Sequence, residues 1–101
     1  MNEKPEGIEW LAEEEWGCVG IHERFGRCFV HCRIWRWGVS HRRASVQHWT
    51  RILEVLRARG YHEVYACQKL GDRTLAHFHQ LFGFVTEVDQ KRGFRLIKQE
   101  I

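Results

Sequence analysis

The segment Leu75-Ala76-His77-Phe78-His79-Gln80-Leu81-Phe82-Gly83-Phe84 constrains the fold of this chain more than any other. Leu75, Phe78 and Phe82 recur at three- and four-residue spacing, so one side of a helix is apolar and must rest on something flat, most simply a sheet. Gly83 ends that helix, because a residue without Cβ takes the left-handed conformation that a helix C-terminus commonly needs. Phe84 opens a further apolar run that reads as a strand. At the other end Asp72 is placed as an N-cap, its carboxylate able to accept from an unpaired amide of the first turn.

A second helix is expected over residues 42–59. Val46, Trp49, Leu53 and Leu56 share one stripe, with Ile52 and Val55 beside it, while Arg51, Glu54, Arg57 and Arg59 take the polar side. Ser40 is expected to cap its start and Gly60 to end it. Residues 16–22 and 28–37 flank Glu23-Arg24-Phe25-Gly26-Arg27 in a hairpin pattern, with Cys28, Val30, Cys32 and Ile34 turned to the core. Residues 64–67 form a short strand between the helices, and residues 84–88 and 94–101 a terminal pair around a turn at 89–93. The fold class is therefore α+β: a mixed, mostly antiparallel sheet with two main helices in the order β-β-α-β-α-β-β.

Charge divides the chain. Residues 1–15 hold six Glu and one Lys, whereas residues 16–101 carry 15 Lys and Arg against seven Asp and Glu, a net of +8. The expected organisation is an acidic lead-in over 1–15, able to form a short strand or a turn of helix, and one domain over 16–101. Arg24, Arg27, Arg33, Arg36, Arg42 and Arg43, interleaved with Trp35 and Trp37, make a basic segment suited to phosphate or to an acidic protein. No recognised nucleic-acid-binding signature accompanies it, which leaves nucleic acid the weaker partner. No run approaches a membrane span, and Met1-Asn2-Glu3-Lys4 lacks the start of a signal peptide, so the expected location is cytoplasmic.

The four cysteines are expected as reduced, buried thiols. On one strand Cys28 and Cys32 would lie roughly 13 Å apart, too far for a shared zinc or a disulfide. His77 and His79, two residues apart on a helix, point to different sides. No metal site is expected.

The helix ending in Gly83-Phe84 resembles the second-helix signature of the GNAT N-acetyltransferase superfamily, and the similarity covers roughly residues 16–97. The resemblance implies two neighbouring parallel strands that splay to admit the pantetheine arm of acetyl-CoA. It places the cofactor's pyrophosphate on amides at the start of the first long helix, here within Ser40 to Gln47. The family's loop there runs Arg or Gln, two residues, Gly, one residue, Gly or Ala. In this chain Arg42 begins it, but Ser45 and Gln47 replace the small residues, so that Arg42, Arg43, Ala44, Ser45, Val46 and Gln47 form the candidate cofactor segment. Asp72 stands where the family commonly has Asn. His79 falls on the position of a Tyr general acid, four residues before the glycine, and is the candidate catalytic residue. His31 and Glu63 are candidate bases.

A shortened, glycine-poor domain of this kind also resembles the small internal virion proteins of short-tailed phages. Two functions follow from these resemblances. One is a noncatalytic GNAT-fold scaffold, phage-encoded, without cofactor, that binds a virion or host protein in the virion or the host cytoplasm, with its five Trp residues as interface anchors. The other is an acetyl-CoA-dependent N-acyltransferase with a degenerate cofactor loop.

Overall fold

The computed structural model describes residues 7–36 and 38–101. The first part of the acidic lead-in, Trp37, and the side chains of Val39 and Leu75 lie outside the described residues, and with them the expectations placed on Trp37 and Leu75. The elements run β1 (Glu9–Glu13), β2 (Gly17–Arg24), β3 (Arg27–Ile34), α1 (Val39–Ala58), β4 (Glu63–Lys69), α2 (Arg73–Phe82), β5 (Thr86–Lys91) and β6 (Phe94–Glu100). They form one mixed sheet in the order β1-β2-β3-β4-β6-β5, in which β3 and β4 are parallel and every other neighbouring pair is antiparallel. The α+β class and the mostly antiparallel sheet are thus as the residue patterns indicated, with β1 added ahead of the expected order.

That added strand comes from the acidic segment. Glu9 pairs with Ile21 and Glu13 with Cys18. Ile8 and Trp10 close over Gly20, where even a Cβ would meet them at 2.5 and 2.8 Å, so glycine is what lets β1 lie flat on β2. The carboxylates then reach across to α1 and its C-cap: Glu9 forms a two-pronged pair with the cap residue Arg59 at 2.9 and 2.6 Å, and Glu14 lies 3.4 Å from His48 of the helix. Glu15 pairs with Arg36 at 2.8 Å.

Both helices cover one face of the sheet. Trp49, Ile52, Leu53 and Leu56 of α1 and Phe78 and Phe82 of α2 pack on Val19, Ile21, Cys28, Val64, Ala66 and Ile97. Burying such side chains contributes roughly 1.5–3 kcal/mol each. The alternation expected along β3 holds, since Cys28 is buried and Val30, Cys32 and Ile34 pack against the same core. Trp49 joins the layers: its indole N–H donates to the Phe82 carbonyl at 2.9 Å and to Gln99 Oε1 at 3.1 Å, and its ring stacks on Phe82. Val55 departs from expectation and is exposed, because at 3.6 residues per turn it rotates off the Trp49–Leu56 stripe.

Helix ends follow the glycines more closely than the caps. At Gly60 (φ +94°) the amides of Gly60 and Tyr61 donate to the carbonyls of Arg57 and Leu56. At Gly83 (φ +98°) those of Gly83 and Phe84 donate to Gln80 and His79. Both are Schellman closures. The start of α1 differs from expectation: Gly38, not Ser40, is the N-cap, and it supplies no side-chain oxygen. The terminal hairpin is also tighter than expected, with Lys91 paired to Phe94 around Arg92 and Gly93, both left-handed, in the two-residue turn that matches strand twist.

Candidate functional site

The parallel pair β3–β4 is joined only at its first residues, Cys28 with Val64 and Phe29 with Tyr65. Beyond them a gap opens in the middle of the sheet, bounded by Val30, His31 and Cys32 on one side and Cys67 and Gln68 on the other. α2 fills it. His79 extends into the opening, where it lines the small cavity inside the core and also the pocket of about 380 Å³ on the helix-free face.

His79 is 7% exposed, its Nδ1 lies 3.1 Å from Gln68 Nε2, and its ring meets Phe84 edge-on. Burial, opposed in part by the Asp72 charge, takes its pKa down to about 4. The imidazole is therefore neutral near pH 7, holds no ready proton for a leaving thiolate, and accepts from Gln68 as a packed polar group. Gln68 is braced in turn by Arg95, whose Nη1 lies 3.4 Å from its carbonyl oxygen and whose Nε pairs with Glu87 at 2.7 Å.

The six residues from Arg42 to Gln47 do not converge. The Arg42 amide already donates to the Gly38 carbonyl at 2.9 Å. The amides of Ser45, Val46 and Gln47 lie a turn deeper, inside the helical ladder, so the open amides belong to Val39, Ser40 and His41. Ser45 is buried and its hydroxyl donates to the Arg42 carbonyl at 2.8 Å, whereas Arg42, Arg43 and Gln47 are exposed; only Arg43, Ala44 and Gln47 share a shallow surface hollow, with Ser40. Asp72 directly precedes α2 and its carbonyl accepts from Ala76. It lines a separate cavity of about 680 Å³ at the far ends of β3 and β4, together with Ile34, Trp35, Arg36, Arg73, His77 and Phe78.

The candidate bases are engaged elsewhere. Glu63 accepts from the Tyr65 hydroxyl at 2.6 Å and from Lys98 at 2.9 Å, and these bonds hold its carboxyl below the usual range. His31 contacts the ring of His22, and burial followed by that neighbour lowers its pKa. All four cysteines are free; burial pushes Cys28 up to about 11 and Cys32 to about 12, so neither is a ready nucleophile. Cys67 is exposed, contrary to expectation, because strand alternation places it on the face that the helices leave bare. Among the described residues no group of three or more His, Cys, Asp or Glu side chains is arranged to hold a metal ion. No described helix is long and apolar enough to cross a membrane.

The basic segment of the sequence is not one patch. Arg24 and Arg27 face each other beside the β2–β3 turn, while Arg36, Arg42 and Arg43 lie past the other end of β3, eight residues away, or roughly 26 Å. What sequence reading passed over is the helix-free face itself, where register sets His22 beside Phe29 and Phe29 beside Tyr65. The alternation along β3 named the residues on that face; the missing cover could be seen only once both helices were placed. Comparison with protein-family models, with curated proteins and with solved structures finds no match to this chain.

Proposed function

We propose that this domain is a noncatalytic interaction module of GNAT-like architecture that docks a protein partner. The architecture is supported by the element order from β2 onward and by the parallel pair that parts after two residues. The observation that carries the noncatalytic reading is the seat of His79: a neutral, buried imidazole occupies the gap that a pantetheine arm would need. A docking surface is offered by the β5–β6 hairpin, where every residue of the edge strand β5 is exposed and Val85, Val88 and Phe94 are apolar groups open to solvent. An edge strand of this kind accepts a further strand through its backbone. In the setting that the phage resemblance implies, the partner is a virion or host protein.

The cavity beside Trp35, Arg36 and Arg73 favours the second reading, an acetyl-CoA-dependent N-acyltransferase, since it joins an apolar wall to two cations and the start of α2. Calorimetric titration with acetyl-CoA separates the two. The module gives no saturable heat up to millimolar cofactor. Saturable heat that Arg73→Glu abolishes would establish the acyltransferase reading instead. Ser45 is unsuitable for this test, because a large side chain at so buried a position reports folding.

A further inference from the structure

The pocket of about 380 Å³ on the helix-free face is lined by His22, Arg24, Phe25, Phe29, Val30, His31, Cys32, Cys67 and His79. No carboxylate is among the described residues that line it. Two acidic side chains on the adjoining strands are committed: Glu23 accepts from the Tyr61 hydroxyl, and Glu63 from Tyr65 and Lys98. Rings make up the wall, with His22 stacked on Phe29 at 5.5 Å and on His31 at 4.6 Å between centroids. At the rim Arg24 and Arg27 are exposed on either side of the turn, and Arg27 lies over the Tyr65 ring at 4.8 Å. Phe25, at the tip, is 92% exposed and holds φ +53°, a conformation that turns of this type normally give to Asn or Gly. A large ring is thus presented to solvent at a local energetic cost, with little packing among the described residues to offset it.

We infer that this face binds single-stranded nucleic acid, with an unstacked base against His22, Phe29 and Phe25 and the adjoining phosphates on Arg24 and Arg27. Rings on a sheet whose other face carries the helices suit stacking with any base, and arginines at the rim suit the backbone. A duplex hides its bases in the stack and cannot present one to a pocket sunk between two strands. The surface is distinct from the β5–β6 hairpin, so this inference stands or falls apart from the protein-docking reading.

The test is fluorescence anisotropy of the full chain with a labelled oligothymidylate of about fifteen nucleotides and a duplex of equal length. The expected result is saturable binding of the single strand, at least about tenfold tighter than the duplex. Phe25→Ala and Phe29→Ala each weaken it by roughly 5- to 100-fold, and Arg24→Gln lowers the slope of log affinity against log salt by about 0.7. Arg57→Gln, on α1, leaves affinity unchanged. Phe25 is 92% exposed, so its variant reports binding even if Phe29→Ala melts early. Three results would overturn the inference: no binding in low salt at protein concentrations near 0.1 mM, on the order of nonspecific affinities; equal binding of single strand and duplex, indifferent to both Phe substitutions; or Phe29-dependent binding of an acidic, aromatic peptide with none of the oligonucleotide.

Discussion

Phe25 is the residue at which local and global interests conflict. Its left-handed backbone is one that a bulky side chain tolerates poorly and Asn accepts readily, so Phe25→Asn should raise stability by about 0.5–1 kcal/mol in urea titrations while weakening oligonucleotide binding. A gain in both would show that the ring has no role. His79 sets a second expectation. The unfolded chain takes a proton near pH 6.5, whereas the folded chain refuses it until about pH 4. Stability linked to this group is therefore whole above about pH 6.5 and drains as pH falls towards 4, by roughly 3 kcal/mol. His79→Gln should remove the larger part of that loss, leaving the share of His31, whose pKa burial also lowers, and the carboxylate-linked loss at lower pH, such as that of Glu63.

At the scale of elements, the C-terminus of α2 is held by one three-part joint. Gly83 closes the helix at φ +98°, Gln99 of β6 lies so close that a Cβ on Gly83 would meet its Nε2 at 2.6 Å, and Trp49 of α1 donates to both Gln99 and the Phe82 carbonyl. Gly83→Ala should cost about 2–3 kcal/mol by thermal or urea denaturation, combining the left-handed penalty with the collision. In a Gln99→Ala background the collision is gone and about 1–2 kcal/mol should remain. A strictly additive double-mutant cycle would place the cost wholly in the backbone. Trp49→Phe should cost about 2–3 kcal/mol, because the Phe82 carbonyl loses a buried donor while the ring stack survives.

For the whole molecule, the acidic segment is an edge strand clamped to a basic helix. Single exposed ion pairs contribute little, so Glu9→Gln should change stability by less than about 1 kcal/mol. Removing residues 1–15 takes away the backbone partner of β2 and the side chains over Gly20. The shortened chain should then aggregate through the bared β2 edge, as light scattering during size-exclusion chromatography would show; a stable monomer would mean that the segment is dispensable.

Periodicity and glycine were enough to define much of this protein. The helix stripes at Trp49–Leu56 and Phe78–Phe82, the stops at Gly60 and Gly83, and the alternation along β3 are local consequences of side-chain geometry, legible from spacing alone. Where α1 begins was not legible, because with no side chain capping it, helical propensity extends back to Gly38 and draws Ser45 to Gln47 into the ladder. Nor was the role of His79, since a histidine in a sequence shows neither its burial nor the strand gap that it fills. The residue order determined which elements form and which of their sides are apolar. The tertiary structure alone decided that both helices share one face, leaving the half-buried rings of His22, Phe29 and His31 without a helix over them on the other, because that outcome depends on contacts between segments far apart in the chain.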